Sequence, residues 1–281
     1  MAALVLPALA QAQWVPQLEA SLLHDSNFSR AQRKEDVASD FALHLRGTLD
    51  RAFAVADRGE LTLTLDAKAQ QNAHFERASY ASLGAAGAYR HKLGLGLTAP
   101  WLAASAFLAQ EDARTAVRDV RRAGAALLLD KRFQERLAAS LGAAYDRSVQ
   151  LEDLPVVAGI SGKAFSLQGR TLFARGSYAL DEGITILGGA SLRRGDVEST
   201  TRRNLQIFRA SNAIALDPAI GPDFVAYRLS GARTRSFTAG LSRELDRRSS
   251  ISATLTADDT RAPAGLNYRG VVVALIYAYR R

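Results

Sequence analysis

From Ser249 to Asp258 the chain alternates strictly. Ile251, Ala253, Leu255 and Ala257 hold one parity, and Ser250, Ser252, Thr254, Thr256 and Asp258 hold the other. Successive side chains of a strand point to opposite faces, so this stretch has one apolar and one polar face. Leu61, Leu63, Leu65, Ala67 and Ala69 repeat the pattern against Thr62, Thr64, Asp66, Lys68 and Gln70. It recurs along the chain as about twelve strands, near 15–26, 38–49, 60–71, 79–90, 93–108, 119–129, 136–147, 164–179, 184–196, 234–245, 249–258 and 268–279. Most of these run about ten to thirteen residues, against about five or six for strands of soluble proteins and about nine to eleven for tilted strands that cross a membrane.

The 281 residues include no cysteine, which removes disulfides, thiolate metal sites and cysteine nucleophiles. No apolar run approaches the roughly 18 residues of a membrane helix, so a membrane protein of this sequence must be a barrel. The expected fold is all-β, a transmembrane antiparallel up-and-down β-barrel of about 12 strands. The rival is a soluble sandwich with its leucines between two sheets. The net charge is +8. Its excess is scattered arginine near strand ends, which suits lipid phosphates better than a DNA-reading helix, so nucleic acid is not an expected partner.

Residues 2–10 are apolar and uncharged, and Ala10-Gln11-Ala12 has the A-x-A pattern of a cleavage site. Residues 1–12 are therefore expected to be a truncated signal peptide and 13–281 the barrel. An even strand count leaves both termini on the periplasmic side of a bacterial outer membrane.

The connections fall into two sets. Leu129-Asp130-Lys131, Leu180-Asp181-Glu182-Gly183 and Leu245-Asp246-Arg247-Arg248 are short, and Leu49-Asp50-Arg51 opens a longer member of the same set. Asp after the last apolar residue is turn chemistry, because its carboxylate accepts from nearby backbone amides. The other set is long and polar, at 27–37, 72–78, 109–118, 148–163, 197–233 and 259–267. The longest is the candidate plug or lid, with a short helix expected within Asn204–Ala215. Pro100 predicts a bulge or a local break in its strand. Arg175 shares the parity of Phe165, Leu167 and Phe173, so it either snorkels at a membrane edge or marks a change of register.

The expected lipid face includes Phe41, Leu43, Leu45, Leu137, Leu141, Ile184, Ile186, Phe237, Leu241, Val271, Val273 and Leu275. Tyr80, Tyr89, Trp101, Tyr145, Tyr178, Tyr268, Tyr277 and Tyr279 are expected in aromatic girdles. The expected pore lining is small and polar: His44, Arg46, Thr62, Thr64, Asp66, Lys68, Gln168, Arg170, Thr238, Glu244, Ser252 and Thr254. With a net basic chain, such a pore would favour anions. No histidine pair has metal-site spacing, and no metal or other cofactor is expected.

His24-Asp25-Ser26-Asn27 resembles the active-site string of outer membrane phospholipase A and the lipid A deacylases. That resemblance implies a general-base role for His24 and a nucleophile role for Ser26, two residues apart on one strand face. Asp25-Ser26-Asn27-Phe28-Ser29-Arg30 is similar to a string near the start of the barrel domain of surface lipoprotein assembly modifiers and related secretion barrels. Leu241–Ser250, Asp258–Arg261 and Leu266–Arg269 resemble the last hairpins of that group. This second resemblance makes Asp25 and Asn27 turn formers and implies a barrel tied to export. Its expected partners are outer-membrane lipid and lipopolysaccharide, the barrel-assembly machinery, and an exported substrate or lipoprotein, with Tyr279 as the aromatic residue that assists assembly. The favoured reading is a non-enzymatic channel or export pore. The alternatives are a lipid hydrolase using Ser26 and His24, and a structural or adhesion barrel.

Overall fold

A computed structural model describes residues 13–55 and 57–281; the expected signal peptide lies outside the described residues. Twelve long strands form the wall: β1 Val15–Asp25, β2 Asp40–Val55, β3 Gly59–Asn72, β4 Tyr80–Lys92, β5 Trp101–Ala113, β6 Val120–Arg132, β7 Leu137–Gln150, β8 Gln168–Ala179, β9 Ile184–Arg202, β11 Phe224–Glu244, β12 Ser249–Arg261 and β13 Asn267–Arg280. Each pairs antiparallel with the next. β13 pairs with β1, and β9 pairs with β11, so the ladder closes and the ring has no open edge. The thirteenth strand, β10 (Ala213–Leu216), and one short helix, α1 (Leu205–Ala210), lie in the connection between β9 and β11. No described helix is long and apolar enough to cross a membrane, which does not bear on crossing by strands.

Most large apolar side chains of the wall point outward. Leu18, Leu83, Leu172 and Phe237 are 61%, 72%, 62% and 62% exposed. A sandwich would bury these residues between its sheets, so that rival is excluded. The alternate parity faces inward and is mostly small or polar, with Phe107, Leu128, Phe173 and Leu187 among the exceptions.

Several expected boundaries move. β5 begins at Trp101, and Leu93 donates its amide to the Pro100 carbonyl, so the strand expected from 93 breaks at Pro100, one of the two outcomes expected there, and 93–100 is a connection. Proline has no amide to give a ladder. Leu49-Asp50-Arg51 and Leu129-Asp130-Lys131 lie inside β2 and β6 and are not turns. Their aspartates face inward and find other partners: Asp50 accepts from Gln17 and Thr64, and Asp130 from Ser140. The turns at Asp181 and Asp246 form as expected, each carboxylate accepting from two backbone amides beyond it.

The parity of β8 is reversed from expectation. Phe173 and Arg175 face inward, with the Arg175 guanidinium 4.8 Å from the Phe173 ring centroid. Neither snorkelling nor a bulge is needed. Phe173 is directly opposite Gly142, where a Cβ would come within 2.4 Å of its ring. Phe107 occupies Gly124 of β6 in the same way, at 2.3 Å. Aromatic rings laid over strand glycines pin the register and restore packing that glycine forfeits.

Candidate functional site

The inward wall carries a network of ion pairs. Arg46 Nε and Lys68 Nζ both reach Asp66, at 2.5 and 2.9 Å. Arg90 pairs with Glu60, Arg122 with Glu111 and Arg193 with Asp146, at 2.8 to 3.0 Å. Hydroxyls pair across strands elsewhere, Thr238 with Thr256 at 2.9 Å and Ser252 with Ser242 at 2.8 Å. His44, Arg46, Thr62, Thr64, Asp66, Lys68, Thr238, Glu244, Ser252 and Thr254 all lie on the inward parity. Gln168 and Arg170 do not. They share the parity of Leu172, and the outward Tyr145 hydroxyl donates to Gln168 Oε1. Their exclusion follows from the reversed register of β8.

The aromatic residues also divide. Tyr89, Tyr145, Tyr178 and Tyr277 are exposed on the outer wall, as girdle positions require. Tyr80 and Trp101 face inward, Trp101 beneath the Arg90 guanidinium at 4.9 Å. Tyr268 is buried and takes no part in a girdle.

At the end with short turns, a polar recess of about 290 Å3 opens beside Glu19, Arg46, Glu244 and Arg248. The opposite end is roofed. β9 and β11 run on past β12 and pair with each other through Phe224–Arg202, while β10 adds to the free edge of β11. This three-stranded ribbon is buried on both faces. One face packs Ile214, Val225 and Tyr227 with Ile207 of α1 and Leu266 of the β12–β13 connection. The other packs Ala215 and Ala226 with Val117 and Val120 around the start of β6, and with Ala164 and Phe165 before β8. A segment rooted in the β9–β11 wall that is buried against the β5–β6 connection must cross the mouth between them.

Polar contacts fasten the roof on several sides. The Thr200 amide donates to the Ser29 carbonyl, and the Ser199 hydroxyl donates to the Arg30 carbonyl. Arg30 pairs with Glu198 at 2.9 Å, and that neighbouring carboxylate pushes the Arg30 pKa up. Arg118, from the β5–β6 connection, holds fully buried Asp217 with two hydrogen bonds. Burial opposes the Arg118 charge most strongly, but Asp217 outweighs it and raises the guanidinium above its ordinary range. Thr200 Oγ1, with one proton to give, lies between the Glu198 and Asp217 carboxylates, 2.7 and 3.1 Å from them. The expected plug is thus a roof of strand and helix. Its helix covers Leu205–Ala210 alone, because Asn204 caps it by accepting from the Gln206 and Ile207 amides.

The string at the end of β1 belongs to this fastening. Asp25 accepts from the Asn27 amide. Asn27 is buried and bonds to Ala31 in both directions and to the Arg269 carbonyl. Ser29 donates to the Asp36 carbonyl and accepts from the Ala38 amide. Asp25 and Asn27 are turn formers here, and the loop they shape carries the Ser29 and Arg30 carbonyls that grip the roof. Ser26 Oγ accepts from the Val271 amide on β13, and the His24 ring lies on the outer wall against Phe41, centroids 4.5 Å apart. Serine and histidine face different partners. The roof contacts of Arg118 and Asp217, 99 residues apart, carried no local pattern by which sequence reasoning could pair them.

The fold resembles that of an outer membrane channel from Pseudomonas putida F1, with a TM-score of 0.57, 12% identity and 98% of each chain covered. It also resembles the transport unit of the autotransporter AIDA-I from Escherichia coli, with a TM-score of 0.50, 11% identity, and coverage of 99% of this chain and 94% of that one. No protein-family model and no curated protein matches the sequence. At these identities the likeness is one of fold.

Proposed function

We propose that the chain is a bacterial outer-membrane channel whose outer mouth is closed at rest by the β9–β10–β11 roof. The observation that carries this reading is the closed ring with leucines outside and a largely polar, ion-paired wall inside. Lipid is the solvent such an exterior requires, and water or a polar solute is what such an interior accommodates. The outer-membrane channel of similar fold supports the location and the class. On this reading the long connections face the cell exterior and both termini the periplasm, and the barrel is non-enzymatic.

The basic excess suggested by the overall charge does not fall in the lumen. Glu19, Asp50, Glu60, Asp66, Glu111, Asp130, Asp146, Glu244 and Asp258 face inward, and Arg46, Lys68, Arg90, Lys92, Arg122, Arg132, Arg175, Arg193 and Arg280 face them, so the two signs nearly cancel there, whereas Arg147, Arg170, Arg194, Arg233, Arg235 and Arg261 face outward. The expected anion preference gives way to weak selectivity. The test is conductance of the refolded barrel in a planar bilayer, for the wild type and for a variant with a loosened roof. Stepwise conductance that grows when the roof is loosened supports the proposal. Background current from both proteins would overturn it.

Export through the same lumen is the second reading, favoured by the similarity of Asp25–Arg30 to secretion barrels. It requires the roof to leave the mouth entirely. In this cysteine-free chain, joining Arg118→Cys to Asp217→Cys with a bifunctional thiol reagent, since the long Arg118 side chain leaves too wide a gap for a direct disulfide, would abolish export and leave a leak past the roof edge intact.

A further inference from the structure

The outer wall of β8, β9, β11 and β12 carries an uninterrupted row of arginines at its loop end. Arg170 lies directly opposite Arg194, Arg194 opposite Arg233, and Arg233 opposite Arg261. With strands about 4.8 Å apart, the row spans roughly 14 Å. Arg235 stands one outward position below Arg233. All five side chains are exposed.

Like charges directly across a ladder repel, so a row of this kind is unfavourable unless an anion is shared among them. The protein supplies one carboxylate for it, Asp259, which stands directly opposite Arg235. Asp259 serves Arg269 at 3.3 Å and Arg261 at 3.9 Å. Among the described residues Arg170, Arg194, Arg233 and Arg235 have no carboxylate within ion-pair distance. At this end outward arginines continue singly on β6, β7 and β13, at Arg121, Arg147 and Arg269, but not on β2–β5. The corresponding rim of β2–β5 presents Phe41, Gln71, Ala81 and Asp112. A belt serving general attraction to a membrane surface would run round the whole barrel.

Immediately below the row the wall turns apolar, at Leu172, Leu192 and Phe237, all exposed. A ligand meeting both features has phosphates at the level of the guanidiniums and acyl chains beneath them. Arginine forks suit phosphate in geometry as well as charge.

We infer that this face, Arg170–Arg194–Arg233–Arg261 with Arg235, is a specific binding site for lipopolysaccharide, holding its phosphorylated, acylated glucosamine head against the outer wall. The inference rests on the outer-membrane reading above, because that is where the ligand is found.

The test uses the full barrel in detergent micelles and purified bis-phosphorylated, hexa-acylated lipid A as the probe, with binding read by native mass spectrometry. Wild type is expected to retain one lipid A, and Arg194→Glu, Arg233→Glu to weaken binding about tenfold or more. Arg77→Glu, on the opposite rim, is the control and should bind as wild type does. Dephosphorylated lipid A should bind the wild type about as weakly as lipid A binds the double variant. Equal binding of lipid A by the wild type and the double variant would overturn the site. So would equal binding of the two lipids. Displacement of lipid A by millimolar inorganic phosphate would show a phosphate site only and overturn the choice of lipopolysaccharide. Circular dichroism of each preparation establishes that the barrel is folded. Conductance of the same preparations is read separately, so a dead channel that still binds lipid A counts against the function and not against this site.

Discussion

Arg118 and Asp217 meet across the mouth of the barrel through two hydrogen bonds, Nε to Oδ1 at 3.0 Å and Nη2 to Oδ2 at 2.6 Å. One residue comes from the β5–β6 connection and the other from the turn between β10 and β11, so the pair ties the tip of the roof to the wall it has crossed to reach. Removing one partner of a buried ion pair strands the other charge, at a cost of about 3–5 kcal/mol. Asp217→Asn is therefore expected to raise single-channel conductance or the time spent open. Arg118→Met with Asp217→Leu restores an apolar contact and should return the channel toward its resting state. Bilayer recordings in which Asp217→Asn matches the wild type would remove the pair from any role in closure.

Selectivity should follow the inward carboxylates. Asp66 pairs with both Arg46 and Lys68, leaving one net positive charge in the group. Asp66→Asn leaves both cations facing the lumen and should move the reversal potential in a salt gradient toward anions. A shift toward cations would mean that these groups do not border the ion path.

The glycines under the inward rings permit a stability test. Gly142→Val places a side chain where the Phe173 ring lies and should cost about 1–3 kcal/mol by overpacking. Denaturant midpoints of the micelle-folded barrel would report it. Adding Phe173→Ala should recover part of the loss, because the two sites share one space. Full additivity would show that the ring and the glycine are not coupled.

Ser26 and His24 are expected to hydrolyse no lipid ester. The Ser26 oxygen is engaged with the Val271 amide and the His24 ring with Phe41. Phospholipid hydrolysis by the purified barrel that disappears in Ser26→Ala would reverse that conclusion.

Two turns at the open end should respond to acid. The Ser249 hydroxyl, followed by the Arg248 amide, holds the Asp246 carboxyl below its ordinary range, and the Gly183 and Ile184 amides do the same for Asp181. For a carboxylate whose folded-state pKa is depressed, the stability gained is present above the unfolded value of about 3.9 and disappears as pH falls through the folded one. Unfolding midpoints of the wild type should fall over that acid window. Those of Asp181→Asn, Asp246→Asn should start lower and fall less. Parallel curves for the two proteins would rule these turns out as acid-sensitive points.

Alternation alone determined the fold class. The outward leucines of β2, β3 and β12, and the tight turns at Asp181 and Asp246, could be read from local pattern because a strand's period of two and an aspartate's reach to the next amides are local physics. Alternation could not orient β8, whose two parities both carry apolar and charged residues. Phe173 lying over Gly142, a contact between neighbouring strands, decided that and with it the places of Gln168, Arg170 and Arg175. Nor could it separate the arginines that crowd the outer wall from the acids that face the lumen, since net charge has no direction until strands are aligned. The roof is the extreme case. Arg118 with Asp217, and Arg30 with Glu198, join segments far apart in the chain, and their pairing exists only once the ring has closed and brought its connections to one mouth.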